Sequence, residues 1–288
     1  SHNPAAWNGF KFKPDYGGSA SPEIVAQLEE RIAAVEQLET VNRMELDVAE
    51  RQGLLEYLDP EPDYLAHIAT LIDVAAIRSA GLNIVVDSMY GAGAGYFSKL
   101  LEGGNTRLVE LRGERDPEFP GLAQPEPIAA NLAAMIEQVL DANADIGLAT
   151  DGDADRVGLV DEKGRYMSTL ETFSVIVHHL LSRKQWLGPV GTTITQSTMI
   201  ERLCSHYGVQ NPRTAVGFKY VGPLMLELDA IAGGEESGGF AYRGHVPERD
   251  GILSALLILD AVVSANRLPS ELLAEVQTIT GPFVFDRL

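Results

Sequence analysis

Asp151-Gly152-Asp153-Ala154-Asp155-Arg156 sets three carboxylates at alternate positions, with only Gly and Ala between them. Alternate side chains of an extended loop point the same way. Three like charges then converge and repel one another unless a cation binds. Hard oxygen donors of this kind suit magnesium or calcium. A solvated acidic turn is the plainer alternative. A helical calcium loop would continue as Asp-x-Asp-x-Asp-Gly and close on Glu, whereas here Arg156-Val157 follows and a strand resumes.

Three more clusters hold groups capable of chemistry. In Gly234-Glu235-Glu236-Ser237-Gly238-Gly239 the glycines free the backbone, and Glu and Ser offer acceptors and a donor for sugar hydroxyls; an ordinary polar turn fits equally well. Gly217-Phe218-Lys219-Tyr220 sets a lone lysine between two aromatics. Desolvation there would lower its pKa toward the range useful for acid–base work, while a surface lysine with a snorkelling stem is the commoner case. Ser1-His2-Asn3-Pro4, with Asn8-Gly9-Phe10-Lys11 after it, puts a hydroxyl beside an imidazole, a combination used in nucleophilic catalysis.

The elements that must position these clusters follow from periodicity. Ser21-Pro22-Glu23 opens a helix that continues through Ile24, Leu28, Ile32, Val35 and Leu38. Phe10 to Phe12 reads as a short strand and residues 41–62 as a connection. From Asp63 onward helices and strands alternate. Helices are predicted over 64–80, 96–101, 127–142, 169–187, 199–207, from 221 to 228, 250–265 and 269–276. Strands are predicted over 82–87, 106–111, 146–150, 157–160, 189–195, 213–216 and 231–233. Such alternation implies an α/β fold of consecutive three-layer domains, with sheets covered on both faces. In open α/β sheets ligands sit beyond the carboxyl ends of strands. The three polar loops leave apolar strands, which places the candidate chemistry on one rim.

Composition narrows the function class. The chain has 288 residues, enough for two domains of roughly 100–200 residues each. Its net charge is -19 with no run of Lys and Arg, which argues against nucleic acid, whose binding needs clustered cations. Phosphorylated metabolites are repelled at long range by such a surface, so a phosphate site must be locally basic or use a metal. No apolar run reaches the ~18 residues of a membrane span. One cysteine, Cys204, excludes a disulfide within the chain and points to a reducing, cytoplasmic home. Residue 1 is Ser rather than Met, and no signal peptide is read.

Taken in order, Ser-His-Asn-Pro, Asp-Gly-Asp-x-Asp-Arg, the lysine loop and Gly-Glu-x-Ser-Gly resemble the α-D-phosphohexomutase superfamily of phosphoglucomutases and phosphomannomutases. The resemblance covers nearly the whole chain. It implies that Ser1 is a phosphoserine that passes its phosphoryl group to a phosphorylated hexose and takes one back, through a hexose 1,6-bisphosphate. It implies that Asp151, Asp153 and Asp155 bind Mg²⁺ together with Ser1, and that Arg156 contacts phosphate or sugar. His2 and Lys11 resemble supporting groups beside the phosphoserine, Lys219 the general acid–base residue, and Glu235 and Ser237 the pair that binds sugar hydroxyls. Gly239 stands where some bifunctional members have histidine, which favours glucose phosphate. On this resemblance, residues 1–47 are the remainder of domain 1, 48–165 are domain 2 and 166–288 are domain 3. The family's fourth domain, with its phosphate-gripping loop, has no match here, so the 288-residue chain alone is expected to turn over poorly.

Overall fold

The computed structural model describes residues 6, 9–38 and 41–283. Two sheets form the frame. The first is built from β1 (Asn83–Asp87), β2 (Arg107–Leu111), β3 (Ile146–Thr150), β4 (Val157–Asp161) and β5 (Tyr166–Met167), in the order β2-β1-β3-β4-β5. Strands β2, β1 and β3 are parallel, and β4 and β5 are antiparallel to their neighbours. In the second sheet β6 (Val190–Thr193), β7 (Arg213–Thr214), β8 (Ala232–Gly234) and β9 (Phe240–Tyr242) take the order β7-β6-β8-β9, with only β9 antiparallel. Both sheets are therefore mixed, and the fold is α/β as expected.

Alternation along the strands explains the layers. Ile84 and Val86 of β1 face the large core, while Val85 between them faces a second cluster with Met135 and Val139 of α6 (Ala133–Asp141). The second sheet is covered on one face by α9 (Phe218–Leu228), through Val221 and Met225, and on the other by α7 (Thr169–Ser182) and α8 (Thr198–Tyr207). Helix α10 (Gly251–Ala265) is buried from Gly251 to Val262 and belongs to the large core that spans both sheets. Phe173 of α7 stacks on Phe240 of β9 with ring centroids 4.6 Å apart. Helix α11 (Pro269–Thr280) closes the chain's described part. Among the described residues no single helix is long and apolar enough to cross a membrane.

Several expectations shift. The apolar run 64–80 is not one helix: α3 (Glu61–Leu71) ends where Ile72 becomes extended, and Asp73 accepts a hydrogen bond from Ala76 N to cap α4 (Val74–Ser79). The run 127–142 likewise begins as a single 3₁₀ turn at Ala129–Asn131 before α6. Helix α7 stops at Ser182, short of Leu187. The expected strand at 10–12 is irregular backbone, and the connection 41–62 holds a short helix, α2 (Leu46–Arg51). Helix α5 (Tyr96–Leu101) lies as expected. Helix α1 (Pro22–Leu38) forms, but neither it nor α2 buries a residue.

Candidate active site at the sheet rim

The acidic motif leaves β3 through Thr150, and Asp151 at the strand's end is completely buried. Backbone geometry draws the carboxylates together. Asp155 N and Arg156 N donate to Asp151 Oδ1 at 2.9 and 3.1 Å, and Ala154 takes a left-handed φ of 58°. One oxygen from each of Asp151, Asp153 and Asp155 lies within 4.8 Å of the others. Among the described residues Asp151 Oδ2, which is buried, accepts no hydrogen bond, and Arg156 Nε stands 3.7 Å from it. Burial, and then the charges of Asp155 and Asp153, push the Asp151 carboxyl well above its ordinary value. An orphaned carboxylate oxygen within a converging set of hard donors fits a divalent oxygen-loving cation.

Neighbouring backbone pins this loop. Ala92 N donates to Gly152 O at 3.0 Å, Gly152 N to Pro125 O at 3.1 Å, and Gly251 N to Ala154 O at 2.9 Å. The turn after β1 lies so close that a Cβ on Gly91 would stand 2.7 Å from Gly152 O and 2.9 Å from Asp151 O. That approach follows left-handed Met89 and Tyr90, at φ 45° and 59°.

The glutamate loop follows β8. Glu235 is 6% exposed, and Gly238 at φ 92° lets Gly238 N donate back to Glu235 O at 3.2 Å. Burial raises the Glu235 carboxyl, against the opposing pull of Arg249. Val157 N donates to Gly238 O at 3.1 Å, so the strand that leaves the acidic loop also holds the glutamate loop. Ser237 is exposed on the rim.

The lysine loop is different. Gly217, at φ 124°, precedes α9, and Phe218 is buried, but Lys219 is exposed with its ammonium 5.2 Å from the Tyr220 ring centroid. The desolvation that the flanking aromatics suggested is therefore absent, because Phe218 turns into the core and leaves Lys219 outside. Lys11 stands with Nζ 3.6 Å from Asp153 Oδ2. Arg156 is buried among carboxylates, with Nη1 donating to Glu126 Oε1 at 2.9 Å. Ser1 and His2 lie outside the described residues.

Arg249 was missed by the sequence reading. Its Nη2 lies 2.6 Å from Asp155 Oδ2, its Nη1 donates to Glu235 Oε2 at 3.3 Å, and its guanidinium carbon is 5.7 Å from the Phe218 ring centroid. It thus touches all three predicted loops. The available signal was its place just before Asp250, the capping residue of the long apolar α10. A cavity of about 260 Å³ opens on Asp153, Asp155 and Arg249. A larger groove of about 760 Å³ on α3, α4 and α5 holds none of the predicted site residues.

Residues 62–164 match the family description "Phosphoglucomutase/phosphomannomutase, alpha/beta/alpha domain II", and residues 171–279 match its domain III. A phosphoglucomutase/phosphomannomutase of Thermococcus kodakarensis is 32% identical over 276 residues, which cover 96% of this chain and 59% of the relative. A phosphoglucosamine mutase of a Marinomonas species is 31% identical, over 95% of this chain and 58% of the relative. A crystal structure from Thermus thermophilus, described as a phosphomannomutase, superposes with a TM-score of 0.85 at 33% identity, over 97% of this chain and 62% of that one. The chain spans about three fifths of the length of these relatives. Both α/β units and the order of their loops place it: the chain belongs to the phosphoglucomutase/phosphomannomutase family of the α-D-phosphohexomutase superfamily.

Proposed function

We propose that this chain carries the metal, sugar and acid–base loops of a phosphohexomutase that interconverts hexose 1-phosphate and hexose 6-phosphate in the cytoplasm, with a phosphoserine at Ser1 and a hexose 1,6-bisphosphate intermediate. The observation that carries this reading is a converging carboxylate triad whose Asp155 shares one guanidinium, that of Arg249, with the buried Glu235. Asp151, Asp153 and Asp155 would hold Mg²⁺, which when bound neutralises charge on a transferring phosphoryl group. Arg156, buried beside Asp151 and Asp155, balances their charge and faces phosphate or sugar. Lys11, beside Asp153, supports the phosphoryl-bearing Ser1, together with His2. Glu235 accepts hydrogen bonds from sugar hydroxyls, and Ser237 on the exposed rim completes the grip. Lys219 needs access rather than burial: as ammonium its exposed side chain gives a proton to the reacting oxygen, and as free amine it takes one from it.

The sugar is a phosphorylated hexose, with glucose phosphate favoured because Gly239 lacks a polar side chain. Names borne by relatives span glucose, mannose and glucosamine phosphates. One experiment tests both levels. The protein is incubated with glucose 1,6-bisphosphate and Mg²⁺, its phosphate is mapped by mass spectrometry, and glucose, mannose and glucosamine 1-phosphates are compared as substrates. The expected result is one phosphate on Ser1 and fastest turnover of glucose 1-phosphate. Metal and sugar-phosphate binding with Ser1 left unmodified would instead describe a non-catalytic relative.

A further inference from the structure

Asp155 and Glu235 leave different sheets, yet one side chain joins them. Arg249 sits between β9 and α10, 16% exposed at its side chain, with one nitrogen of its fork on each carboxylate. Its stem passes over Gly239, where an added Cβ would overlap Arg249 Cδ. A planar guanidinium can address two carboxylates at once, which a point-charge ammonium cannot do with the same geometry. Without this cation, a candidate metal ligand and a candidate sugar ligand would both present negative charge to the same space.

We propose that Arg249 is a positioning residue that clamps the metal-loop carboxylate of Asp155 to the sugar-loop carboxylate of Glu235, through the opening left by Gly239, and so links cation binding to sugar-phosphate binding. This rests on the phosphohexomutase reading above. Linkage of this kind is reciprocal: whatever factor the cation contributes to sugar affinity, the sugar returns to cation affinity. The absence of a side chain at 239 then serves two ends, leaving room over the sugar loop and admitting the arginine.

Calorimetric titration of the whole chain with glucose 6-phosphate, with and without Mn²⁺, tests this. Native protein is expected to bind the sugar phosphate more tightly with Mn²⁺, by on the order of 10-fold. R249A should lose most of that enhancement, and R249K should restore only part of it. Gly239→Ala changes no charge but displaces the arginine stem, so it should reproduce R249A, and the double variant should be no worse than R249A. Circular dichroism confirms that each variant is folded, and R249K, which keeps charge and stem, covers the case of an unfolded R249A. Native enhancement in a folded R249A overturns the clamp. A native result for G239A beside an impaired R249A overturns the route past Gly239. A native chain that binds neither Mn²⁺ nor glucose 6-phosphate overturns the phosphohexomutase reading itself, and the clamp with it.

Discussion

The acidic loop at 151–156 and the lysine loop at 217–220 both follow strands on the same rim, yet they are held in opposite ways. The first is fixed by hydrogen bonds from the turn after β1 and the start of α10 and by one that it donates to the segment before α6, and its leading carboxylate is buried. In the second, Val216 is 57% exposed and Lys219 is exposed, while Phe218 is buried and anchors the turn. A cation site needs its donors in place before the ion arrives. A proton-transfer group must instead reach a hydroxyl that enters with the substrate. The two loops divide along that line, one preorganised and one accessible.

The strongest way to break this contrast is Asp151→Asn. Mn²⁺ binding by calorimetry should vanish, and with it the stabilisation a bound cation confers, about 2.7 kcal/mol at a hundredfold excess over Kd. The pH dependence should change too. Because the Asp151 carboxyl is raised above its ordinary 3.8, the native state keeps that proton longer than the unfolded chain does. The contribution of Asp151 to metal-free stability therefore falls as pH rises from about 4 toward neutrality. Asp151→Asn should flatten that decline in urea midpoints measured across pH. An unchanged slope would place the cost elsewhere.

A smaller effect is expected from Gly91→Ala, which forces a methyl against the backbone of Asp151 and Gly152. Overpacking against backbone costs about 1–3 kcal/mol, measurable by urea denaturation, and Mn²⁺ affinity should fall with it. Native stability in this variant would mean the acidic loop yields easily. The smallest effect on the fold is expected from Lys219→Ala: stability within about 0.5 kcal/mol of native, while kcat in the active enzyme drops about 10²-fold or more. A destabilised Lys219→Ala would erase the distinction between the two loops.

Much of this arrangement was legible because buried strands are short apolar runs. Ile146 to Thr150 is fully buried and leads straight into Asp151, so strand and loop announced each other. The break at Ile72-Asp73 was hidden, since the apolar periodicity continues across it and only the cap by Asp73 marks the restart. Strands β5 and β9 have two and three residues, too few to show a period. Lys219 was expected on the turn before a helix starting at 221 but lies in the first turn of α9, which begins at Phe218, and which flanking aromatic turns inward depends on tertiary packing. Arg249 lay beyond local pattern altogether, because its partners stand 94 and 14 positions away in the chain and meet it only when both sheets are assembled.

That assembly gives α10 a meaning for how the molecule comes apart. Its apolar surface is shared by both sheets, and its first amide is tied to the acidic loop. Neither unit can shed this helix without exposing its own interior to water. Loss of order in one unit therefore propagates into the other, and the pair melts and refolds as one cooperative body rather than as two beads on a string.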